Sequence, residues 1–562
     1  MPGVQLTVPT LDDAPDPGMD HGEVFTRRWV VDLVLDLAGY RSSEDLAALL
    51  VVEPSCGSGA FLEAIVERLL ASVGSEEITN CQDSIRAFDL LAANTDRARK
   101  AVSTILVDAG VPERDASALA QRWIATGDFL LDDLGLEDGT VDLVVGNPPY
   151  VRLESVGAER MATYRGAMST MRGRSDLYVG FYERGLQLLA QDGRVAFICA
   201  DRWMHNQYGA QLRAFITSDF AVDTIVSMHD VDAFVDTVSA YPAITVLRRG
   251  QQGQVLVTAT SGGFDHRDAQ HLVAAASNGG IAASDSFSAA RLPDWPQGSG
   301  LWPSGTPEAV GLVQRLEADF APLEDRATGT RVGIGVATGV DDVFITSTPG
   351  SVEPERLLPL ATGGDIASGT LDWSGQYLVN PWGDEGLEDL EDWPGLAAYL
   401  DQHAPAVRGR YVARQRPDQW YRTIDRVHPS LTDTPKLLLQ DMKAAAEPVL
   451  DPGGHYPHHN LYYVVSEAWD LEVLGGLLLS DVTNLFISTY CVKMRGGTYR
   501  FQAQYLRQIR VPDPASLTKE LRNDLRHAFQ ARNRGAATRA ACSSYDVDPR
   551  ALAHALRGVG DT

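Results

Sequence analysis

Cysteine is scarce: there are five, at positions 56, 81, 199, 491 and 542, and no two stand in a CxxC pair. Such scatter argues against a zinc ribbon or a disulfide framework and fits a reducing cytoplasm. Long hydrophobic runs are lacking as well. No stretch approaches the ~18 apolar residues that a membrane span needs, and the richest, 471–479, is interrupted by Glu472, Gly475 and Gly476. The N-terminus has no basic leader ahead of an apolar segment. It carries Asp12, Asp13, Asp16 and Asp20 instead, so no signal peptide is expected. Positive charge is in short supply, with 48 Lys and Arg against 75 Asp and Glu and a net charge of −27. That total looks hostile to a polyanion, but the deficit is uneven. Residues 1–150 hold 10 bases against 26 acids, whereas residues 491–540 hold 11 against 3. The local field, not the total, decides where a polyanion docks. On charge alone, a basic surface helix is as good a reading of 491–540 as a phosphate-binding face.

What is present is a globular composition, 44% hydrophobic and 22% charged, over 562 residues. That length predicts two to four domains. Residues 1–20, with prolines at 2, 9, 15 and 17, read as a tail. Apolar residues then recur at helical spacing over 24–37, with Thr26 placed as an N-cap. Strand-like runs at 49–52, 85–88, 141–145, 194–199, 222–228 and 244–247 are interleaved with helical stretches at 60–71, 92–109 and 179–189. This alternation predicts an α/β fold, a doubly wound and mostly parallel sheet covered by helices. The pattern stops near residue 250. Residues 251–330 read as a linker or irregular connection, 331–515 as a mixed α+β domain, and 516–562 as a helical segment. In that last segment Leu517, Leu521, Leu525 and Phe529 share one helix face.

Two segments carry chemistry. Glu53-Pro54-Ser55-Cys56-Gly57-Ser58-Gly59 follows the first strand and opens a helix. Its glycines permit a tight turn and close approach of a ligand, whose carboxylate or phosphate sits well on free N–H groups at a helix start. The spacing is neither GxGxxG nor GxxxxGK[ST], which disfavours a dinucleotide or nucleoside triphosphate. Asp89 ends the next strand, where a carboxylate commonly bonds ribose hydroxyls. Asp128 and Phe129 end the third, an acid for an amino group beside a ring for a planar face. The second segment is Gly146-Asn147-Pro148-Pro149-Tyr150, at the end of a buried strand. Its prolines stiffen the turn. The Asn147 side-chain oxygen and the Pro148 carbonyl are then convergent acceptors for one planar NH₂, and Tyr150 offers a stacking face.

Together these segments resemble the gamma-class N6-adenine DNA methyltransferases of the Taq type. The likeness covers residues 20–250 with specific motifs and 331–512 more loosely. It implies a class I methyltransferase fold using S-adenosylmethionine, a 21–250 catalytic domain and a 331–515 DNA target-recognition domain. By this resemblance Phe25 and Thr26 match the N-terminal cofactor motif, with Arg27 where the family has proline. Glu53, Ser55, Gly57 and Gly59 match the methionine-binding turn, Asp89 the ribose acid, and Asp128 and Phe129 the adenine pair. Asn147, Pro148 and Tyr150 match the catalytic loop, and Phe234 the second stacking aromatic. The implied reaction is direct methyl transfer to a flipped-out adenine in double-stranded DNA, with no metal. The implied partner is a separate restriction endonuclease or defence component, with no membrane association.

Arginines at 408, 410, 414 and 416, and at 495, 500 and 507 with Tyr499 and Tyr505 interleaved, are candidate DNA contacts; a solvated face is their competing reading. His455, His458 and His459 lie close in sequence, but no further ligand with an orienting second shell is evident. Rival functions remain at this stage. NPPY loops also serve planar amides of protein glutamine, RNA guanine and cytosine N4, though usually in shorter chains. A catalytically dead DNA-binding subunit is another rival, which the intact motif positions argue against.

Overall fold

A computed structural model describes residues 24–235, 241–493 and 498–559; the tail expected at 1–20 and Arg495 lie outside them. The chain divides into two compact units, 1–311 with 557–562, and 312–556.

In the first unit the alternation read from the sequence becomes a single sheet. Its elements, in chain order, are α1 (Arg28–Ala38), β1 (Val51–Glu53), α2 (Ala60–Val73), β2 (Ile85–Asp89), α3 (Ala92–Asp108), α4 (Glu113–Trp123), β3 (Ile124–Thr126) and β4 (Val141–Gly146). There follow α5 (Ala158–Ala167), α6 (Tyr178–Leu188), β5 (Leu189–Ala200), α7 (Arg202–His205), α8 (Ala210–Asp219), β6 (Phe220–Ser227) and β7 (Pro242–Arg249). The unit continues with β8 (Val255–Thr260), α9 (His266–Ser277), β9 (Ala282–Ala283) and β10 (Phe287–Leu292). Among the described residues the sheet has ten strands in the order β3-β2-β1-β4-β5-β7-β6-β8-β10-β9. It is parallel from β3 through β5. β7 then enters antiparallel between β5 and β6.

Consecutive strand residues face opposite ways, and here both faces are dry. Val51 and Val145 enter one core with α1, α2 and α3. Val52 and Val144 enter another with α6 and α8. A sheet buried on both sides reads as continuous apolar runs, which is why β1 and β4 are legible in the sequence. Chain order reverses between β1 and β4, which makes their carboxyl ends the switch point where open α/β sheets bind ligands.

Two local expectations are corrected. Thr26 does not cap α1: the helix begins after Arg27, without a side-chain cap, while Thr26 forms a β-bridge with Phe234. Nor is 251–330 a linker throughout. β8 pairs parallel with β6, and β10 pairs antiparallel with β8 from Phe287↔Thr260 to Leu292↔Val255. Its Ala and Ser content hides an alternation in which Phe287 and Ala289 are buried.

Among the described residues the second unit contains two four-stranded sheets. One runs Arg331–Ile334, Leu461–Val465, Lys436–Gln440, Val449–Asp451; the other runs Ile345–Thr346, Tyr377–Val379, Leu357–Ala361, Tyr456–Pro457. A fully buried ion pair, Lys436–Asp451 at 2.9 Å, ties the first together. The helix Lys519–Gln530 starts under Thr518, whose hydroxyl accepts from the Leu521 N–H at 3.2 Å. It packs on Leu471–Leu479 at that helix's two glycines: a Cβ on Gly476 would stand 2.4 Å from the Leu525 carbonyl oxygen. Among the described residues no single helix is long and apolar enough to cross a membrane, and Leu471–Leu479 bends by 62° into Asp481–Tyr490.

Candidate active site

The carboxyl ends of β1, β2, β3 and β4 open on one cleft. It is lined by Thr26, Glu53, Ser55, Gly57, Asp89, Asp128, Phe129, Asn147, Pro148 and Tyr150. The cofactor and catalytic candidates therefore converge on this cleft, except Gly59 and Phe234, which are not among its lining residues.

After β1 the chain turns through Gly57 (φ 51°) and Gly59 (φ 110°) into α2. Both angles are left-handed, where L side chains are strained. A Cβ at Gly57 would meet nothing within 4 Å, so that backbone stands open to the cleft. Asp89 holds the turn: its Oδ2 accepts from the Gly57 N–H at 3.0 Å. Its Oδ1 accepts from the Leu91 N–H at 2.9 Å and from Asn94 Nδ2 at 3.1 Å. The Ser55 hydroxyl donates to the Asn147 carbonyl at 3.3 Å, joining the turn to the loop after β4. Glu53 is 2% exposed, and its Oε2 has no partner among the described residues. Burial pushes its carboxyl well above the usual carboxylate range, and the negative Asp89 and Glu63 push the same way. Burial likewise raises the Cys56 thiol, which opposes a thiolate nucleophile there.

Asn147 is the best-defined group. Its Nδ2 donates to the Val24 carbonyl at 3.0 Å and to Thr26 Oγ1 at 3.2 Å. A carbonyl can only accept, so this contact assigns the amide nitrogen to that side. Oδ1 is left buried and, among the described residues, without a partner. The Tyr150 hydroxyl is also buried and unpartnered there. Phe234, 5% exposed, meets the Tyr150 ring at 6.2 Å and 79°. The two rings are edge to face.

At the β3 end, Asp128 Oδ2 accepts from the Tyr164 hydroxyl at 2.7 Å and from Arg160 Nη2 at 3.2 Å. Phe129 stacks on Phe181 at 5.5 Å and 19°. Val24, Arg160, Tyr164 and Phe181 escaped the sequence reading as site residues because each meets a motif residue far away in the chain, whereas Asn94 stands only five residues from its partner Asp89.

The candidate DNA-contacting arginines divide. Arg408, Arg414, Arg416 and Arg500 are exposed. Arg408 lies 3.9 Å over the Trp420 ring. Arg410 is instead committed inward, donating to the carbonyls of Thr338, Trp420 and Arg422; burial and Arg422 bring its pKa down to about 10. Arg507 pairs with Glu324 at 3.0 Å and donates to the Val332 carbonyl. The structure also brings Asp341 to 3.2 Å from His458, beside His459. His458 Nδ1 is buried with no partner among the described residues, while its Nε2 meets the Asp341 carboxylate.

Three comparisons bear on this geometry. The family model for the Eco57I restriction-modification methylase matches residues 75–234. Type II methyltransferase M.XhoI of Xanthomonas vasicola is 40% identical, over 94% of this chain and 98% of its own. M.PaeR7I of Pseudomonas aeruginosa is also 40% identical, over 98% of this chain and 96% of its own. Among solved structures, the Type IIL restriction-modification enzyme MmeI, in complex with DNA, shares the fold at a TM-score of 0.54. It is 13% identical, over 95% of this chain and 72% of its own. With relatives this similar along almost its whole length, the chain belongs to the type II DNA methyltransferases of restriction-modification, and its cofactor is S-adenosylmethionine.

Proposed function

We propose that the enzyme methylates N6 of adenine at a specific site in double-stranded DNA, on a base turned out of the helix into the cleft. The observation that carries this reading is the orientation of Asn147. With its nitrogen given to Val24 and Thr26, it presents a buried oxygen without a partner among the described residues. Beside the Pro148 carbonyl, that oxygen makes an acceptor pair for the two N–H bonds of an exocyclic amine. Accepting both hydrogens localises the lone pair on nitrogen. An amine inside a stacked, paired duplex cannot reach such a pocket. Tyr150 supplies the face on which the extruded base rests.

The rest of the cleft fits S-adenosylmethionine, which supplies the methyl group when bound. The Glu53 Oε2, unpartnered among the described residues, suits an ammonium donor. The open backbone at Gly57 admits the amino-acid portion, which Ser55, Gly59 and Thr26 help to shape. Asp89 is the ribose acid, and Asp128 with Phe129 takes the adenine ring. Residues 331–515 read the target sequence, with the exposed Arg408, Arg414, Arg416 and Arg500 on phosphates. A separate endonuclease of matching specificity is the partner this role implies. Methylation-sensitive sequencing of DNA from a host expressing the enzyme tests the reading. N6-methyladenine at one recurring motif, absent in an Asn147→Ala control, is the expected result. N4-methylcytosine, or no modification, overturns it.

A further inference from the structure

We infer that Tyr164 and Arg160, on α5, are positioning residues that hold the Asp128 carboxylate so that the cleft selects a 6-amino over a 6-oxo purine in its cofactor. The inference rests on the reading of Asp128 as the acceptor of the cofactor's adenine.

Asp128 follows β3 and lines the cleft together with Tyr164 and Phe129. Its side chain and that of Arg160 are only 12% and 15% exposed. An ionised carboxylate has about four acceptor positions. Among the described residues three have donors. The Leu130 N–H takes Oδ1 at 3.0 Å, while the Tyr164 hydroxyl and Arg160 Nη2 share Oδ2 at 2.7 and 3.2 Å. Donors on both oxygens stop the group from rotating, and what remains is room for a single further donor. An amino group supplies one. A 6-oxo purine turns a carbonyl toward the carboxylate and leaves a buried acceptor unpaired, the arrangement that gives a polar site its selectivity.

The helix itself supports this role. In α5 only Tyr164 is buried, and at 4% exposure its hydroxyl ends on Asp128. Burial and the neighbouring carboxylate raise the Tyr164 pKa, so the phenol remains a donor throughout the working range. Arg160 lies 5.7 Å from the Tyr164 ring and braces the same contact.

The test is equilibrium binding of S-adenosylhomocysteine and of S-inosylhomocysteine, its 6-oxo counterpart, to the full chain. The wild type should prefer the adenine ligand by roughly tenfold or more, the usual worth of a hydrogen bond to a charged group. Tyr164→Phe and Arg160→Gln should each shrink that preference by roughly threefold or more, chiefly by weakening the adenine ligand. If both variants weaken the two ligands equally, or leave the preference unchanged, the positioning role is overturned while the reading of Asp128 stands. If the wild type binds the two ligands equally, the Asp128 reading falls, and this inference with it. Using two variants on different residues guards against one that fails to fold.

Discussion

At the scale of single residues, the cleft holds the groups proposed for chemistry in places that oppose stability. Asn147 Oδ1 and Glu53 Oε2 are both buried without a partner among the described residues, an arrangement that ordinarily costs ~1–3 kcal/mol for a neutral group. Asn147→Ala should lower kcat by a factor of about 10²–10³ or more, by analogy with removal of one transition-state hydrogen bond. Cofactor affinity, measured by calorimetry, should stay within a few-fold, because the role proposed for the residue is toward the amine. Glu53 gives a pH test. Its folded pKa is raised above 4.5 by burial, so the folded state holds a proton that the unfolded chain releases. Stability from this group is full below the unfolded pKa and is lost as pH rises through the folded value. Ligand-free Glu53→Gln should therefore melt higher than wild type at pH 8. The gap should close toward pH 4.5, and the variant should bind the cofactor more weakly. A gap that widens on acidification would contradict the assignment.

At the scale of elements, apolar periodicity located most of the strands and helices of the first unit, because each buries a face determined by its own spacing. It missed β8 and β10, whose inward positions include alanine, and it misplaced the start of α1. The same scale explains Gly475 and Gly476, which look like interruptions in an apolar run. They are the contact points of a helix pair, with a Cβ on Gly475 only 2.6 Å from the Phe529 ring. Alanine is the better helix former by about 1 kcal/mol. The 2.4 Å approach of a Gly476 Cβ to the Leu525 carbonyl oxygen should nevertheless win, since backbone cannot step aside cheaply. Gly476→Ala should lose roughly 1–3 kcal/mol in urea unfolding, whereas Gly74→Ala, with nothing within 4 Å of its Cβ, should lose only the strain of its positive φ.

At the scale of the whole molecule, the sheet of the first unit is longer than the motif-bearing half suggests. A fragment ending at residue 250 strips β8, β9 and β10 from the sheet and bares the β6 edge. It also removes Phe264 from Trp29, whose rings lie 6.0 Å apart. An unpaired edge beside an uncovered core invites aggregation. That fragment should precipitate or melt without cooperativity, while one ending at Asp319, the end of the helix Pro307–Asp319, should unfold cooperatively and bind S-adenosylhomocysteine. Equal behaviour of the two fragments in calorimetry would show that the added strands are dispensable.

Sequence alone determined the strand ends that open on the cleft. A left-handed turn needs glycine, a rigid acceptor loop needs proline, and a sheet buried on both faces needs unbroken apolar runs; each of these is a local requirement written in adjacent residues. Tertiary structure alone decided which way those residues face. The Asn147 amide is oriented by a carbonyl 123 residues upstream, and Asp128 is held by a tyrosine 36 residues downstream. Arg410 was drawn inward by three carbonyls while exposed arginines flank it in the chain. Hydrogen bonds between distant segments leave no period and no spacing in the chain, so only folding brings such donors and acceptors into register.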